Sequence, residues 1–125
     1  MDIRIDTFVI GNHYYINVYN EDERVGKLGI ELISDCKVQI VYVVTNIRYV
    51  NNGIATMMLN HAIEKFGNCE ISLLVKPMPR KDENDKYKKQ AGLIKFYEKF
   101  GFLKDNDPCL NRMIRKPSLP TSGEE

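Results

Sequence analysis

Residues 37–76 contain a strand, a turn, a helix and a second strand in immediate succession, and this order constrains the fold more than any other feature. The first strand is predicted at 37–45, where KVQIVYVVT is nearly continuous in Val, Ile and Tyr. This composition is typical of a central strand that is covered on both faces. The second strand is predicted at 70–76, EISLLVK. A strand, a helix and a strand in this order form a βαβ unit, so we predict that the two strands are parallel neighbours.

The helix of this unit is predicted to begin at Ile54 and to end at a C-cap, Gly67. Its apolar residues recur at helical spacing and define one side of the helix: Ile54, Met58, Leu59, Ala62, Ile63 and Phe66. Thr56, Asn60 and Glu64 lie on the opposite side. A helix with this pattern packs its apolar side onto the core of a domain.

The turn before this helix, Asn51-Asn52-Gly53, is polar, and the small residue Ala55 follows it. A helix N-terminus has about four N–H groups without intrahelical partners and a partial positive charge. Small residues let an anion approach those groups, and phosphate is the usual one. We therefore predict a phosphate site at 51–56; a helix start that binds nothing would have the same pattern. The loops GxxxxGK[ST] and GxGxxG are both absent, which argues against nucleotide hydrolysis and against a Rossmann site.

The overall composition indicates an ordinary globular protein. The chain has 125 residues, of which 43% are apolar and 28% are charged. We predict one domain at 1–116 and a disordered tail at 117–125. The formal net charge of +1 argues against a dedicated nucleic-acid-binding protein. The three cysteines are widely spaced, and the chain has neither a signal-peptide pattern nor a long apolar run. These features predict a cytoplasmic protein without disulfides, a metal site or a membrane span.

The remaining segments complete the predicted fold. Strands are predicted at 3–9, 13–20, 27–34 and 112–116, with a charged turn at 21–26. The polar segment 77–89 is predicted to be a long connection, either mobile or in contact with an acceptor molecule. A second helix is predicted at 90–100, ended by a Schellman motif at Gly101 with Phe102 folded back. Together these elements predict an α/β (α+β) fold: a mixed, mostly antiparallel sheet of six or seven strands with two main helices.

Two of these segments resemble the GNAT superfamily of N-acetyltransferases, which move an acetyl group from acetyl-CoA to an amine. The family's pyrophosphate motif is [Q/R]-x-x-G-x-[G/A], and this chain has Val50-Asn51-Asn52-Gly53-Ile54-Ala55 there. The family's later helix is similar to residues 90–102, where Gln90 stands in the position of an Asn and Tyr97, Gly101 and Phe102 match. The resemblance covers about residues 13–116. The chain resembles a small, reduced form of the family, as in phage and mobile-element proteins, because the family's helix pair between the first two strands is missing.

The resemblance implies a role for each part of the site. N–H groups from Asn52 to Thr56 would hold the CoA pyrophosphate, and Arg48 is a candidate to compensate for Val50, which replaces the family's Gln or Arg. The backbone at 43–45 would pair with the pantetheine arm, and Tyr97 would protonate the leaving thiolate. The full set of implied cofactor-binding residues is Val43, Val44, Thr45, Arg48, Val50, Asn51, Asn52, Gly53, Ile54, Ala55, Thr56, Gln90 and Tyr97.

The general base and the acceptor stay open at this point. The predicted strand 37–45 contains no carboxylate, so Glu31, His13, Tyr42, a water chain or an already neutral amine are all candidates for the base. The acceptor would be a protein lysine, a protein N-terminus or a small amine. A non-catalytic module that holds CoA or a protein partner is the alternative function, and an unrelated small α/β protein is a third hypothesis. An open sheet edge makes a homodimer a further expectation.

Overall fold

The computed structural model describes residues 2–49, 52–75, 83–105 and 111–117, with the backbone alone at 83–90. Its strands are β1 (Ile3–Ile10), β2 (His13–Asn20), β3 (Glu23–Ser34), β4 (Lys37–Thr45), β5 (Glu70–Leu74), β6 (Leu103–Lys104) and β7 (Arg112–Arg115). Its helices are α1 (Ile54–Phe66), α2 (Glu83–Glu98) and a short 3-10 helix at Ile47–Tyr49. The described strands form one seven-stranded sheet in the order β1-β2-β3-β4-β5-β7-β6. The predicted fold class is confirmed.

β4 and β5 are parallel neighbours, as predicted for the βαβ unit. Their register runs from Lys37 opposite Glu70 to Ile40 opposite Leu73. Beyond Ile40, β4 continues to Thr45 and is paired with β3, while the described pairing with β5 has ended. Among the described residues, the edge of β4 beyond Ile40 on the side of β5 therefore has no strand partner, and its backbone is available to a ligand.

Both helices pack on one face of the sheet. Ile54 and Met58 of α1 are fully buried, and an added Cβ at Gly26 of β3 would lie only 2.6 Å from Cγ2 of Ile54. Tyr97 of α2 and Phe102 after it belong to the same hydrophobic cluster. The apolar periodicity of the two helices thus builds one shared core against the sheet.

The opposite face of the sheet is not covered by any of the elements described here. Ile10 of β1 pairs with His13 of β2, so the two strands are joined by a two-residue turn. No helix can stand between them, which agrees with the predicted loss of the N-terminal helix pair. The side chains of this second face are consequently accessible from solvent, with Val41 and Val44 44% and 38% exposed. The prediction that the strand at 37–45 is covered on both faces was therefore wrong.

The end of α2 has the predicted Schellman motif. Gly101 has a φ of +91°, and its N–H donates to the carbonyl of Glu98 at 3.0 Å. The N–H of Phe102 donates to the carbonyl of Tyr97 at 3.3 Å, and the two rings have centroids 6.0 Å apart. This double hydrogen bond turns the chain back over the last helical turn, so Phe102 becomes fully buried.

Two predicted boundaries were wrong. α2 begins at Glu83 and not at residue 90, so residues 83–89 are helical and not part of a loop. Five of these seven side chains are charged, and Glu and Lys have good helix propensity, but the segment has no apolar period to recognise. β3 begins at Glu23 and not at residue 27, because the hairpin needs only two turn residues: Asn20 pairs with Glu23 and Tyr19 with Arg24.

Other expectations fall on residues that lie outside the described ranges. These are the last residue of the predicted strand 70–76, the first part of the predicted connection at 77–82, and the predicted tail from residue 118 onward. The domain boundary at 116 stays a prediction. None of the described helices is long and apolar enough to span a lipid bilayer.

Candidate functional site

A cavity of about 410 Å³ opens where β4 and β5 separate. It is lined by residues 39–44 of β4, by Leu73 and Leu74 of β5, and by Tyr97 of α2. Val43 and Val44, which the sequence assigned to a pantetheine-binding edge, are thus brought together with the predicted acid. One wall of the cavity is the backbone edge of β4 beyond Ile40, which has no strand partner among the described residues on this side. This edge can hydrogen-bond an extended ligand in the way a neighbouring strand would.

Tyr97 reaches this cavity from the helical side of the sheet. Its side chain is 8% exposed, and the rings of Phe96 and Phe102 pack edge-on against it at 5.5 and 6.0 Å. Burial raises the pKa of the Tyr97 phenol above its ordinary value. The hydroxyl therefore stays protonated at neutral pH, which is the state a proton donor needs.

The N-terminus of α1 forms one side of a second cleft, of about 500 Å³. Four of its lining residues are Gly53, Ile54, Ala55 and Thr56, and the others are Thr45, Tyr49, Leu93 and Phe96. Because Thr45 directly follows Val44, which lines the first cavity, the cavity and this cleft are adjacent along β4. An elongated ligand with one end at α1 and the other at Tyr97 fits this arrangement.

The N-terminus of α1 is bare, as the sequence predicted. Gly53 is its N-cap, in the left-handed region at φ +79°, and no side chain caps the helix. The first turn has no acidic residue, and an added Cβ at Gly53 would meet no atom within 4 Å. The N–H of Asn52 donates to the carbonyl of Tyr49 at 3.2 Å, so the donors that face outward begin after Asn52.

Arg48 is held by Glu23. The guanidinium of Arg48 forms an ion pair with the Glu23 carboxylate, while the Arg48 side chain remains 67% exposed. The same carboxylate accepts hydrogen bonds from the hydroxyl of Tyr49 at 3.0 Å and from the amide of Asn46 at 3.4 Å. Glu23 thus connects the 3-10 helix, which precedes the N-terminus of α1, to the start of β3. Arg48 would have to exchange or share this partner to reach a phosphate.

The three candidate bases lie on the sheet face opposite the helices. His13 and Gln39 both pair with Glu31 across the sheet, and Gln39 lines the cavity. Tyr42 lines the cavity directly, and its ring packs against Gly29, two residues from Glu31. Burial, together with the nearby Tyr15 phenol, raises the pKa of Tyr42, while Arg24 partly opposes the change. The sequence named these residues without a reason to group them; the register groups them on one face.

A bulge in β4 sets the position of Tyr42. Gly29 pairs with Tyr42, but the next residue, Ile30, pairs with Ile40. Val41 is therefore an extra residue in β4, and the bulge bends the strand at the point where it leaves β5. No sequence pattern marked this bulge, because residues 37–45 are apolar at nearly every position.

Val50 and Asn51 lie outside the described residues, and Gln90 is described only as part of the backbone of α2. Glu23 and Tyr49 were missed by the sequence analysis. Glu23 is 25 residues from Arg48 along the chain, and only the pairing of β3 with β4 brings the two together.

The family model of the acetyltransferase (GNAT) family matches residues 2–102. The chain belongs to the GNAT family. A search of curated proteins gives no match. Among solved structures, an N-acetyltransferase (PaiA) of Thermoplasma acidophilum in complex with coenzyme A is similar, with a TM-score of 0.64 and 18% identity. The match covers 84% of this chain and 61% of that one, so the chain spans less than two thirds of that relative's length.

Two further solved structures have the same fold. A GNAT acetyltransferase of Elizabethkingia anophelis with acetyl-CoA bound has a TM-score of 0.70 and 12% identity, and the match covers 92% of this chain and 98% of that one. Naa50 of Arabidopsis thaliana, in complex with the bisubstrate analogue CoA-Ac-MVNAL, has a TM-score of 0.56 and 25% identity over 80% of this chain and 69% of that one. The GNAT fold is thus present here without a helix pair between β1 and β2.

Proposed function

We propose that this GNAT chain is an N-acetyltransferase that uses acetyl-CoA as its cosubstrate and transfers the acetyl group directly to a primary amine. The observation that carries the proposal is the alignment along β4 of a bare helix N-terminus, an unpaired strand edge and a buried tyrosine. A pyrophosphate, an amide-containing arm and a thioester occur in the same order in acetyl-CoA. Membership of the GNAT family supports the same assignment.

In the proposed reaction, the N–H groups of Ile54, Ala55 and Thr56 bind the pyrophosphate through hydrogen bonds and the helix dipole. The edge of β4 at Val43 and Val44 aligns the pantetheine arm. Backbone N–H groups there also stabilise the negative charge that develops on the thioester carbonyl oxygen.

The proton balance of the reaction requires a donor and an acceptor. A neutral amine attacks the thioester carbonyl carbon, the new C–N bond forms, and the C–S bond breaks. Tyr97 donates its phenolic proton to the leaving thiolate. The proton lost by the amine passes to water or to a group on the open sheet face, where Tyr42 and Glu31 lie near the cavity.

The alternative proposal is a non-catalytic GNAT module that holds CoA or a protein partner. The observations that favour it are the ion pair that occupies Arg48 and the absence of a carboxylate from β4. Against it stands Tyr97, because a module that only binds has no need for a buried phenol at the end of the ligand cavity. The enzyme and a module that holds CoA differ in turnover and agree in ligand binding, whereas a module that holds only a protein partner would not bind CoA.

The experiment begins with calorimetric titration of the purified protein with acetyl-CoA, and with desulfo-CoA and pyrophosphate as comparisons. Binding should then be followed by release of free CoA thiol in the presence of small amines, lysine peptides and peptides with a free N-terminus. Binding with turnover supports the enzyme. Binding without turnover on any acceptor supports a module that holds CoA. No binding at all contradicts the enzyme and the CoA-binding module, and leaves the module that holds a protein partner.

A further inference from the structure

The amine of Lys27 lies beside the cavity at which acetyl transfer is proposed. Its Nζ is 5.3 Å from the centroid of the Tyr42 ring, and Tyr42 lines the cavity together with Tyr97. On the backbone, Lys27 pairs with Val44, which is a second lining residue. The lysine side chain is thus next to two residues that form the cavity wall on the open side of the sheet.

The surroundings of Lys27 limit where its amine can go. The side chain is half-buried, and the ammonium is attracted by the face of the Tyr42 ring. That ring packs directly against the backbone of Gly29. A flexible lysine stem that is held at its base and near its tip samples a small region, and that region adjoins the cavity.

We propose that Lys27 is an acetylation site of the protein's own chain, modified from acetyl-CoA bound in the cavity. This inference rests on the proposed function. After the Lys27 ammonium loses one proton to water, its neutral nitrogen attacks the thioester carbonyl. The C–N bond forms, the C–S bond breaks, and the nitrogen gives its second proton to water as the amide forms. The thiolate takes a proton from Tyr97 and leaves as CoA. The product, Nε-acetyl-lysine, is uncharged and no longer binds the ring of Tyr42 through its charge.

Lys65 provides a matched comparison. Its Nζ also lies over a tyrosine ring, at 5.9 Å from the centroid of Tyr14. It is in the last turn of α1, however, and Tyr14 is buried on the helical side of the sheet, away from the lining of the cavity. The two lysines therefore share a tyrosine ring as their neighbour. Lys65 is exposed and Lys27 is half-buried, so exposure favours labelling of Lys65, and only access to the proposed acetyl donor favours Lys27.

The test is incubation of the full chain with acetyl-CoA that carries a deuterated acetyl group, followed by peptide mass spectrometry over time. The label separates new acetylation from any acquired during expression. Placement next to a bound donor raises the effective concentration greatly, so Lys27 should gain label at least about ten-fold faster than Lys65. The rate per molecule should not change when the protein is diluted. Lys27→Arg should remove this label, Lys65→Arg should leave it unchanged, and Tyr97→Phe should slow it.

Equal labelling of Lys27 and Lys65 would overturn the inference, because it would reflect non-enzymatic acetylation of exposed amines. Labelling that slows on dilution would also overturn it, since transfer would then occur between molecules. If acetyl-CoA binds and other amines are acetylated while Lys27 is not, this inference alone fails. If calorimetry detects no acetyl-CoA binding, the proposed function fails with it.

Discussion

The ring of Tyr42 packs against Gly29, the residue directly opposite it on β3. A Cβ added at Gly29 would lie 2.5 Å from Cε2 of Tyr42 and 2.6 Å from Cζ, which is closer than non-bonded carbon atoms approach. The position of the ring at the cavity mouth therefore depends on the absence of a side chain at Gly29. Lys27, two residues earlier, lies over the same ring.

We expect Gly29→Ala to lower the rate of acetyl transfer strongly while the protein remains folded. The Tyr42 ring can swing outward to admit the methyl group, so the free energy of unfolding should fall by about 1–3 kcal/mol at most. A displacement of about 1 Å near the reacting groups can cost on the order of 100-fold in rate. The measurement is kcat/KM beside urea unfolding. Gly92→Ala is the control, because an added Cβ there meets nothing within 4 Å, and unchanged transfer in Gly29→Ala would mean that Tyr42 has no part in it.

We expect Thr56→Glu to stabilise the protein and to weaken acetyl-CoA binding at the same time. Thr56 is exposed in the first turn of α1, which has no acidic residue. A carboxylate there interacts favourably with the helix dipole, by about 0.3–1 kcal/mol. The same charge repels a pyrophosphate, and we expect the affinity to fall about ten-fold or more. Calorimetry with acetyl-CoA and thermal unfolding measure the two effects.

Asn60→Glu is the matched control for this prediction. Asn60 is exposed on the same helix, one turn further on, where the dipole has little effect. Its substitution should change neither the stability nor the affinity by much. If Thr56→Glu bound acetyl-CoA as tightly as Asn60→Glu, the pyrophosphate could not lie at the N-terminus of α1.

The elements that the sequence predicted correctly are those with a strong period or a specific end signal. α1 begins at Ile54 and has its C-cap at Gly67, because its apolar side is continuous over the whole length. Gly101 ends α2 as expected, since a left-handed residue was needed there. By contrast, the start of α2 at Glu83 carries no apolar period, and β6 at Leu103–Lys104 is too short to leave a pattern.

The site was predictable only where its residues are close together in sequence. Gly53 to Thr56 form one turn of chain, so a short motif is enough to predict the common role proposed for them. Tyr42 lies at the cavity because β4 has a bulge and because Gly29, its partner on β3, has no side chain. Neither feature leaves a signal in the sequence of β4 itself. Glu23 contacts Arg48 only because β3 begins at Glu23, four residues before the predicted start at residue 27. Long-range register decides such contacts, and local patterns do not contain it.

We expect Tyr97→Phe to slow acetyl transfer by about 100-fold or more, because a general acid contributes roughly that much, and to leave acetyl-CoA affinity nearly unchanged. Steady-state rates and calorimetry measure the two quantities. Tyr19→Phe is the control, since Tyr19 lies on β2 with Arg4 over its ring and does not line the cavity. Equal rates in the two variants would remove Tyr97 from the mechanism.

The raised pKa of Tyr97 also predicts a change in alkaline stability. Burial raises this pKa in the folded protein above the ordinary value of 10.0. Above pH 10 the unfolded chain therefore releases the proton before the folded protein does, and stability falls as the pH rises toward the folded pKa. Tyr97→Phe should lose less stability than the wild type between pH 10 and that value. Urea unfolding across this range measures the difference, and parallel pH profiles would contradict the burial of a protonated phenol.

We expect Glu23→Gln to strengthen acetyl-CoA binding and Arg48→Gln to weaken it. Gln can still accept the hydrogen bond from Tyr49, but it no longer holds the guanidinium by charge, so Arg48 becomes available to a phosphate. Exposed ion pairs are worth at most about 1 kcal/mol, so each effect should be a few-fold in affinity. Both effects should shrink at high salt, because exposed charges are screened. Calorimetry at two salt concentrations measures them. If Arg48→Gln binds acetyl-CoA as the wild type does, Arg48 serves only to hold Glu23. Arg48 would then not compensate for the family's Gln or Arg, which Val50 replaces.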